Sequence, residues 1–114
     1  SEGQRRRLLI ARALVHAPEG LVLDEPTNAL DLRARHTLLR TLRDLCQQGT
    51  TLVLVTHQVD AIIPEIQRVV GLQNGLVSLD GRTEDTLTGP RLSALFDTPL
   101  GVVQAGGYRQ VLPG

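Results

Sequence analysis

The sequence predicts an α/β fold with a mainly parallel sheet, helices packed beside it and a hairpin towards the C-terminal end. Three observations carry this. Two short apolar runs, Leu21-Val22-Leu23 and Thr51 to Val55, have the length and β-branched content of strands. Between them, Leu38, Leu39, Leu42, Leu45 and Cys46 repeat at one-face helical spacing, so the three segments read as a βαβ unit with a right-handed crossover. Further on, Gln73-Asn74-Gly75 joins two β-prone runs, and Asn-Gly suits the tight type I′ turn of a hairpin.

The elements follow in order. Ser1 can cap a helix from about Gly3 to Ala17, closed by Pro18 and Gly20. Leu8, Leu9, Ala11, Ala13, Leu14 and Val15 make it apolar over much of its circumference, which implies burial. Leu21-Val22-Leu23 is continuous rather than alternating, the pattern of a strand buried on both faces. Asp31 caps a second helix from about Leu32 to Gln48, ended by Gly49. A short helix near Val59 to Ile63 breaks at Pro64. Arg68 to Leu72 and Leu76 to Leu79 form the hairpin. Thr83 to Asp97 holds one weak helix with Leu87, Leu92, Leu95 and Phe96 as its apolar positions. Two β-prone pieces flank Ala105-Gly106-Gly107 between Gly101 and Leu112.

The 114 residues, 41% hydrophobic and 21% charged, are ordinary for a globular domain or a piece of one. A formal net charge of +0 gives no electrostatic reason to expect nucleic acid or an anionic membrane as partner. The apolar runs are far too short to cross a bilayer. With Cys46 as the single cysteine no internal disulfide can form, so a reducing cytoplasm is the natural setting. All twelve basic residues are arginine. A phosphate-binding loop of the G-x-x-x-x-G-K-[ST] type therefore has no lysine to use within this sequence. Ser1 falls directly into a helical pattern with no methionine before it, which reads as a truncation point. A piece cut there should be poorly stable alone, with apolar faces left uncovered.

The chemistry-bearing residues sit where the predicted strands end. Asp24-Glu25 follow one strand and His57 follows the next, at the carboxyl edge where open α/β sheets bind ligands. Two acids there suit a divalent cation and a general base: one carboxylate holds Mg²⁺ through its water shell, and the other orients an attacking water. His57 could reach a phosphate oxygen or that water. Ser1-Glu2-Gly3-Gln4 opens a helix, whose free N–H groups and dipole favour an anion such as a terminal phosphate. His16 and His36 carry no assignment, and Arg5-Arg6-Arg7 reads as a solvated helix face.

Together these motifs resemble those of the ATP-binding cassette (ABC) ATPases. Ser1-Glu2-Gly3-Gln4 resembles the family signature L-S-G-G-Q, with its leucine missing and glutamate in place of the first glycine. Leu21-Val22-Leu23-Asp24-Glu25-Pro26-Thr27 is similar to the Walker B strand and its catalytic glutamate, Asn28-Ala29-Leu30-Asp31 to the D-loop, and Val55-Thr56-His57 to the switch histidine. The order and spacing match the family. The resemblance runs from Ser1 to about Gly81, so residues 1–81 read as the C-terminal portion of a P-loop nucleoside-triphosphate hydrolase domain and residues 82–114 as a variable extension.

The resemblance implies roles. Asp24 would hold Mg²⁺ through water, Glu25 would be the general base and His57 would contact the γ-phosphate of ATP. Ser1, Gly3 and Gln4 would contact ATP held by a second ABC ATPase domain in a head-to-tail dimer, and Asp31 and Ala29 would communicate across that dimer. It also implies an ATP-hydrolysing subunit of a transporter, cytoplasmic and peripheral at the inner face of the cell membrane, working with transmembrane permease subunits. His57-Gln58-Val59-Asp60 with Ile62-Ile63-Pro64-Glu65-Ile66 is similar to cassettes associated with molybdate or iron-complex uptake. Without the phosphate-binding loop, these residues alone are expected to be silent. The alternatives are a soluble ABC ATPase acting on ribosomes or in DNA repair, and a dimerisation module without turnover. More distant is a metal-dependent hydrolase that uses Asp24 and Glu25 without nucleotide.

Overall fold

The computed structural model describes residues 19–114, so the expected helix from Gly3 to Ala17 and the opening motif lie outside the described residues. The chain divides into two compact units, Ser1–His57 and Gln58–Gly114.

The first unit contains the βαβ motif. Strand β1 (Gly20–Asp24) leads through a loop to helix α1 (Leu32–Gln47), and the chain returns as β2 (Thr51–Val55). The two strands pair in parallel, with Leu21 opposite Leu52, Leu23 opposite Leu54 and Asp24 opposite Val55. At its start, α1 is capped by the Asp31 carboxylate, which accepts from the Ala34 N–H at 2.8 Å. At its end Gly49, at φ +102°, turns the chain. There the Thr50 N–H donates to the Leu45 carbonyl and the Gly49 N–H to that of Cys46, the two bonds of a Schellman cap.

Ala34, Leu38, Leu39 and Leu42 form the buried stripe of α1, and Leu42 is fully enclosed. Leu21 and Leu23 are buried on one face of β1. The opposite face is open: Val22 is 70% exposed, and Val53 and Val55 about half. Burial of β1 on both faces is therefore not what the described residues show. Among the described residues, one helix lies on a two-stranded sheet and the leucine side of β1 is the covered one.

The second unit begins with a 3₁₀ turn (Val59–Ala61), shorter than the helix expected there. Strands β3 (Arg68–Gln73) and β4 (Leu76–Arg82) form the expected hairpin, longer at both ends. Asn74 and Gly75 take φ +53° and +77°, as a type I′ turn requires. The register shifts at Gly71, where any side chain would collide with Leu79: an added Cβ would lie 2.8 Å from the Leu79 Cβ.

The single helix expected over Thr83 to Asp97 is two: α2 (Thr83–Thr86) and α3 (Gly89–Phe96). Thr88 adopts extended backbone and caps α3 by accepting from the Arg91 N–H, and Pro90 sits in the first turn, where its missing N–H does no harm. Both features start a new helix rather than continue an old one. The two β-prone tail pieces pair as an antiparallel hairpin, β5 (Leu100–Ala105) and β6 (Tyr108–Pro113), turned at Gly106-Gly107. Ala61, Ile63, Leu79, Leu87 and Leu92 form the buried core of this unit.

Candidate functional site

The parallel register sets the site. Because Asp24 pairs with Val55, the residues that follow each strand, Glu25 on one side and Thr56-His57 on the other, leave the sheet side by side. The Glu25 N–H continues the ladder by donating to the Val55 carbonyl at 2.7 Å. Glu25 then turns sharply at φ +47°, unusual for a residue other than glycine, and its carbonyl accepts from the Asn28 N–H at 3.1 Å. A second tight bend follows, with Ala29 at φ +64° and the Leu30 N–H donating to the Thr27 carbonyl. Thr27 is buried at 4% exposure, and Pro26 is among the fully buried side chains, so the loop is anchored from its middle.

The turn brings the Glu25 carboxylate across to the end of β2. Its Oε1 accepts from the His57 backbone N–H at 2.8 Å and is also in contact with Nδ1 of the His57 ring. An ionised carboxylate only accepts, so Nδ1 carries the proton in this contact. Its Oε2 accepts from the Thr56 hydroxyl at 3.0 Å. Burial alone would raise the Glu25 carboxyl. The His57 backbone N–H, the His57 ring and the Thr56 hydroxyl outweigh it and hold the group below the usual glutamate value. Glu25 is mostly covered, at 21% side-chain exposure, whereas the His57 ring is 71% exposed.

The sequence-derived residues thus fall into three groups. Glu25 and His57 are joined directly. Asp24 ends β1 beside them as an exposed carboxylate, and Asp31 serves α1 as its cap. Ser1, Gly3 and Gln4 lie outside the described residues. Thr56 is the participant that motif reading passed over. The available signal was a hydroxyl residue directly before the histidine, at the end of a strand whose parallel neighbour ends in acids.

A family model described as "AAA domain, putative AbiEii toxin, Type IV TA system" matches residues 1–63, more than half of the chain, and places it in that AAA-type ATPase family. The ABC transporter ATP-binding protein YlmA of Bacillus subtilis (strain 168) is 40% identical over 105 residues, spanning 90% of this chain and 40% of that protein. The chain belongs to the ATP-binding cassette ATPases. The hemin import ATP-binding protein HmuV of Rhodococcus jostii (strain RHA1) is 36% identical over 115 residues, spanning 99% of this cassette chain and 39% of HmuV. Among solved structures, a metal-chelate type ABC transporter in an inward-facing conformation superposes on the whole chain with a TM-score of 0.82 and 34% identity. The match covers 47% of that transporter's chain. This cassette chain therefore spans less than half the length of the relatives it matches.

Proposed function

We propose that this chain supplies the hydrolytic side of an ATP site in the ATPase subunit of a transporter. The observation that carries the reading is the union of Glu25 with Thr56-His57 at the carboxyl edge of the parallel pair. Glu25 acts as general base: it takes a proton from a water that attacks the γ-phosphorus while the bond to the ADP oxygen breaks. His57 contacts the γ-phosphate. Its ring lies on Glu25 in this structure, so moving to the phosphate releases one contact on Oε1 and leaves the backbone N–H in place.

Asp24 fits Mg²⁺ better than a cation that needs a protein cage. Among the described residues no group of three or more His, Cys, Asp or Glu side chains gathers to hold a metal. One exposed carboxylate suits a cation that keeps several waters and takes other ligands from substrate phosphates. Bound there, Mg²⁺ would neutralise phosphate charge.

The remaining roles follow the family pattern. Ser1, Gly3 and Gln4 contact ATP held by a second cassette in a head-to-tail dimer. Ala29 and Asp31 relay across it, a role compatible with the cap that Asp31 makes on α1. Residues 1–81 form the cassette portion and residues 82–114 a variable extension. A phosphate-binding loop comes from outside these residues, since they contain no lysine. Transmembrane permease subunits provide the solute path, with the cassette peripheral at the inner face of the cell membrane. The likeness to a hemin import protein and to a metal-chelate type transporter favours a chelated metal as the solute.

The test is ATP turnover with Mg²⁺ by a protein joining this chain to a phosphate-binding loop, beside its Glu25→Gln variant and the chain alone. The expected result is turnover by the first, a loss of at least about a hundredfold in Glu25→Gln with ATP binding kept, and silence from the chain alone. Turnover by the chain alone, or none lost in Glu25→Gln, overturns the proposal.

A further inference from the structure

The Glu25 side chain has three torsions and therefore needs outside contacts to hold its carboxylate in one plane. With the carboxyl carbon carried by the chain, one donor on each oxygen fixes that plane. Oε1 has the His57 backbone N–H and the His57 ring, while Oε2 has a single donor among the described residues, the Thr56 hydroxyl at 3.0 Å. The ring contact is the dispensable one, because the ring is 71% exposed and is needed elsewhere if His57 meets a phosphate. What then remains is a grip from two consecutive residues, the hydroxyl of Thr56 on Oε2 and the backbone N–H of His57 on Oε1. Both donors are set by the end of β2, which is tied in register to the strand that carries Glu25.

We propose that Thr56 is a positioning residue for the general base, its hydroxyl fixing the plane of the Glu25 carboxylate while the His57 ring is turned to the nucleotide. The inference rests on the reading of Glu25 as the base. Valine at position 56 keeps the β-branched shape and removes the donor. Serine keeps the donor and removes only a methyl group.

The experiment uses the ATP-hydrolysing protein that carries this chain with its phosphate-binding loop, and measures kcat and KM for ATP in Thr56→Val, Thr56→Ser, Glu25→Gln and Thr56→Val/Glu25→Gln. The expected result is a kcat lower by about tenfold in Thr56→Val with KM within about twofold, since a hydrogen bond to a charged group is lost but nucleotide contacts are not. Thr56→Ser should recover most of the loss. In the Glu25→Gln background, Thr56→Val should cost little more, because the glutamine amide cannot take the proton and so gains nothing from being held. Full turnover in Thr56→Val, failure of serine to recover it, or an undiminished loss in the Glu25→Gln background overturns the role of Thr56. Unimpaired turnover in Glu25→Gln instead overturns the reading of Glu25 as base, a separate and distinguishable failure.

Discussion

Gly107→Ala should destabilise the C-terminal unit far more than Gly106→Ala, although the two glycines are neighbours in one turn. Both lie at positive φ, +59° for Gly106 and +82° for Gly107. Alanine at such an angle costs about 1–2 kcal/mol. The less flexible unfolded chain returns about 0.4–1 kcal/mol of that. A Cβ on Gly106 meets nothing within 4 Å, so its total stays between about 0 and about 1.6 kcal/mol. A Cβ on Gly107 would lie 2.7 Å from the Pro64 Cγ and 3.0 Å from the Pro64 Cβ. Unbonded carbons settle at about 3.5–4.0 Å, and a proline ring has no rotamer that swings it aside. Overpacking of that kind adds about 1–3 kcal/mol, giving between about 1 and about 4.6 kcal/mol for Gly107→Ala. Urea unfolding followed by the fluorescence of Tyr108, the single tyrosine in a chain without tryptophan, reports on this hairpin directly. The midpoint for Gly107→Ala should fall well below that for Gly106→Ala at unchanged slope. Adding Pro64→Ala should recover part of the difference. Equal midpoints for the two glycine variants would refute the close approach of the turn to Pro64.

Two further outcomes follow from single contacts. The Glu25 and Asp80 carboxyls are both held below their ordinary values, Asp80 chiefly by its hydrogen bonds from the Arg68 guanidinium. A lowered carboxyl contributes stability above its unfolded pKa and loses it as the pH falls through the lower folded value, so melting temperature should drop below about pH 4. Asp80→Asn should make that drop shallower, and melting curves recorded from pH 7 to pH 3 check it. Asp31→Ala removes the carboxylate that caps α1 and should cost about 1 kcal/mol, with Asp31→Ser restoring most of it, as read by circular dichroism melting.

What the sequence makes legible here is what depends on local pattern. Helix α1 follows from a cap, a leucine stripe and a terminal glycine, and the structure places its ends within one residue of that expectation. The β3–β4 turn follows from Asn74-Gly75, because few other pairs accept positive φ twice in succession. Burial of β1 does not follow from its own residues, since Val22 is as apolar as Leu21 and only the layers around a sheet decide which of them is covered. The break between α2 and α3 was written in Thr88-Gly89-Pro90, a start signal that the apolar spacing of Leu87, Leu92 and Leu95 concealed. At the site, motif order identifies Glu25 and His57 as candidates. The Thr56 contact needs the register of β1 against β2, a long-range fact that no local pattern carries.

That register also accounts for the backbone at Glu25. A residue before proline favours extended backbone, and positive φ in a side chain of this size is costly. Glu25 nevertheless holds φ +47°, with its N–H tied to Val55, its carbonyl to Asn28, and both carboxylate oxygens to Thr56 and His57. The strained turn and the carboxylate grip occur together: an extended Glu25 would direct its side chain to one face of the sheet, whereas at φ +47° the carboxylate meets the end of β2. Strain of this kind persists where surrounding structure over-determines it, and here each determining contact comes from the neighbouring strand end or from the loop that Pro26 and Thr27 anchor. The geometry of this carboxylate is thus a property of the strand pair and not of Glu25 alone. On the reading of Glu25 as the base, changes at Thr56 or in the β1–β2 register should therefore reach turnover before they reach nucleotide binding.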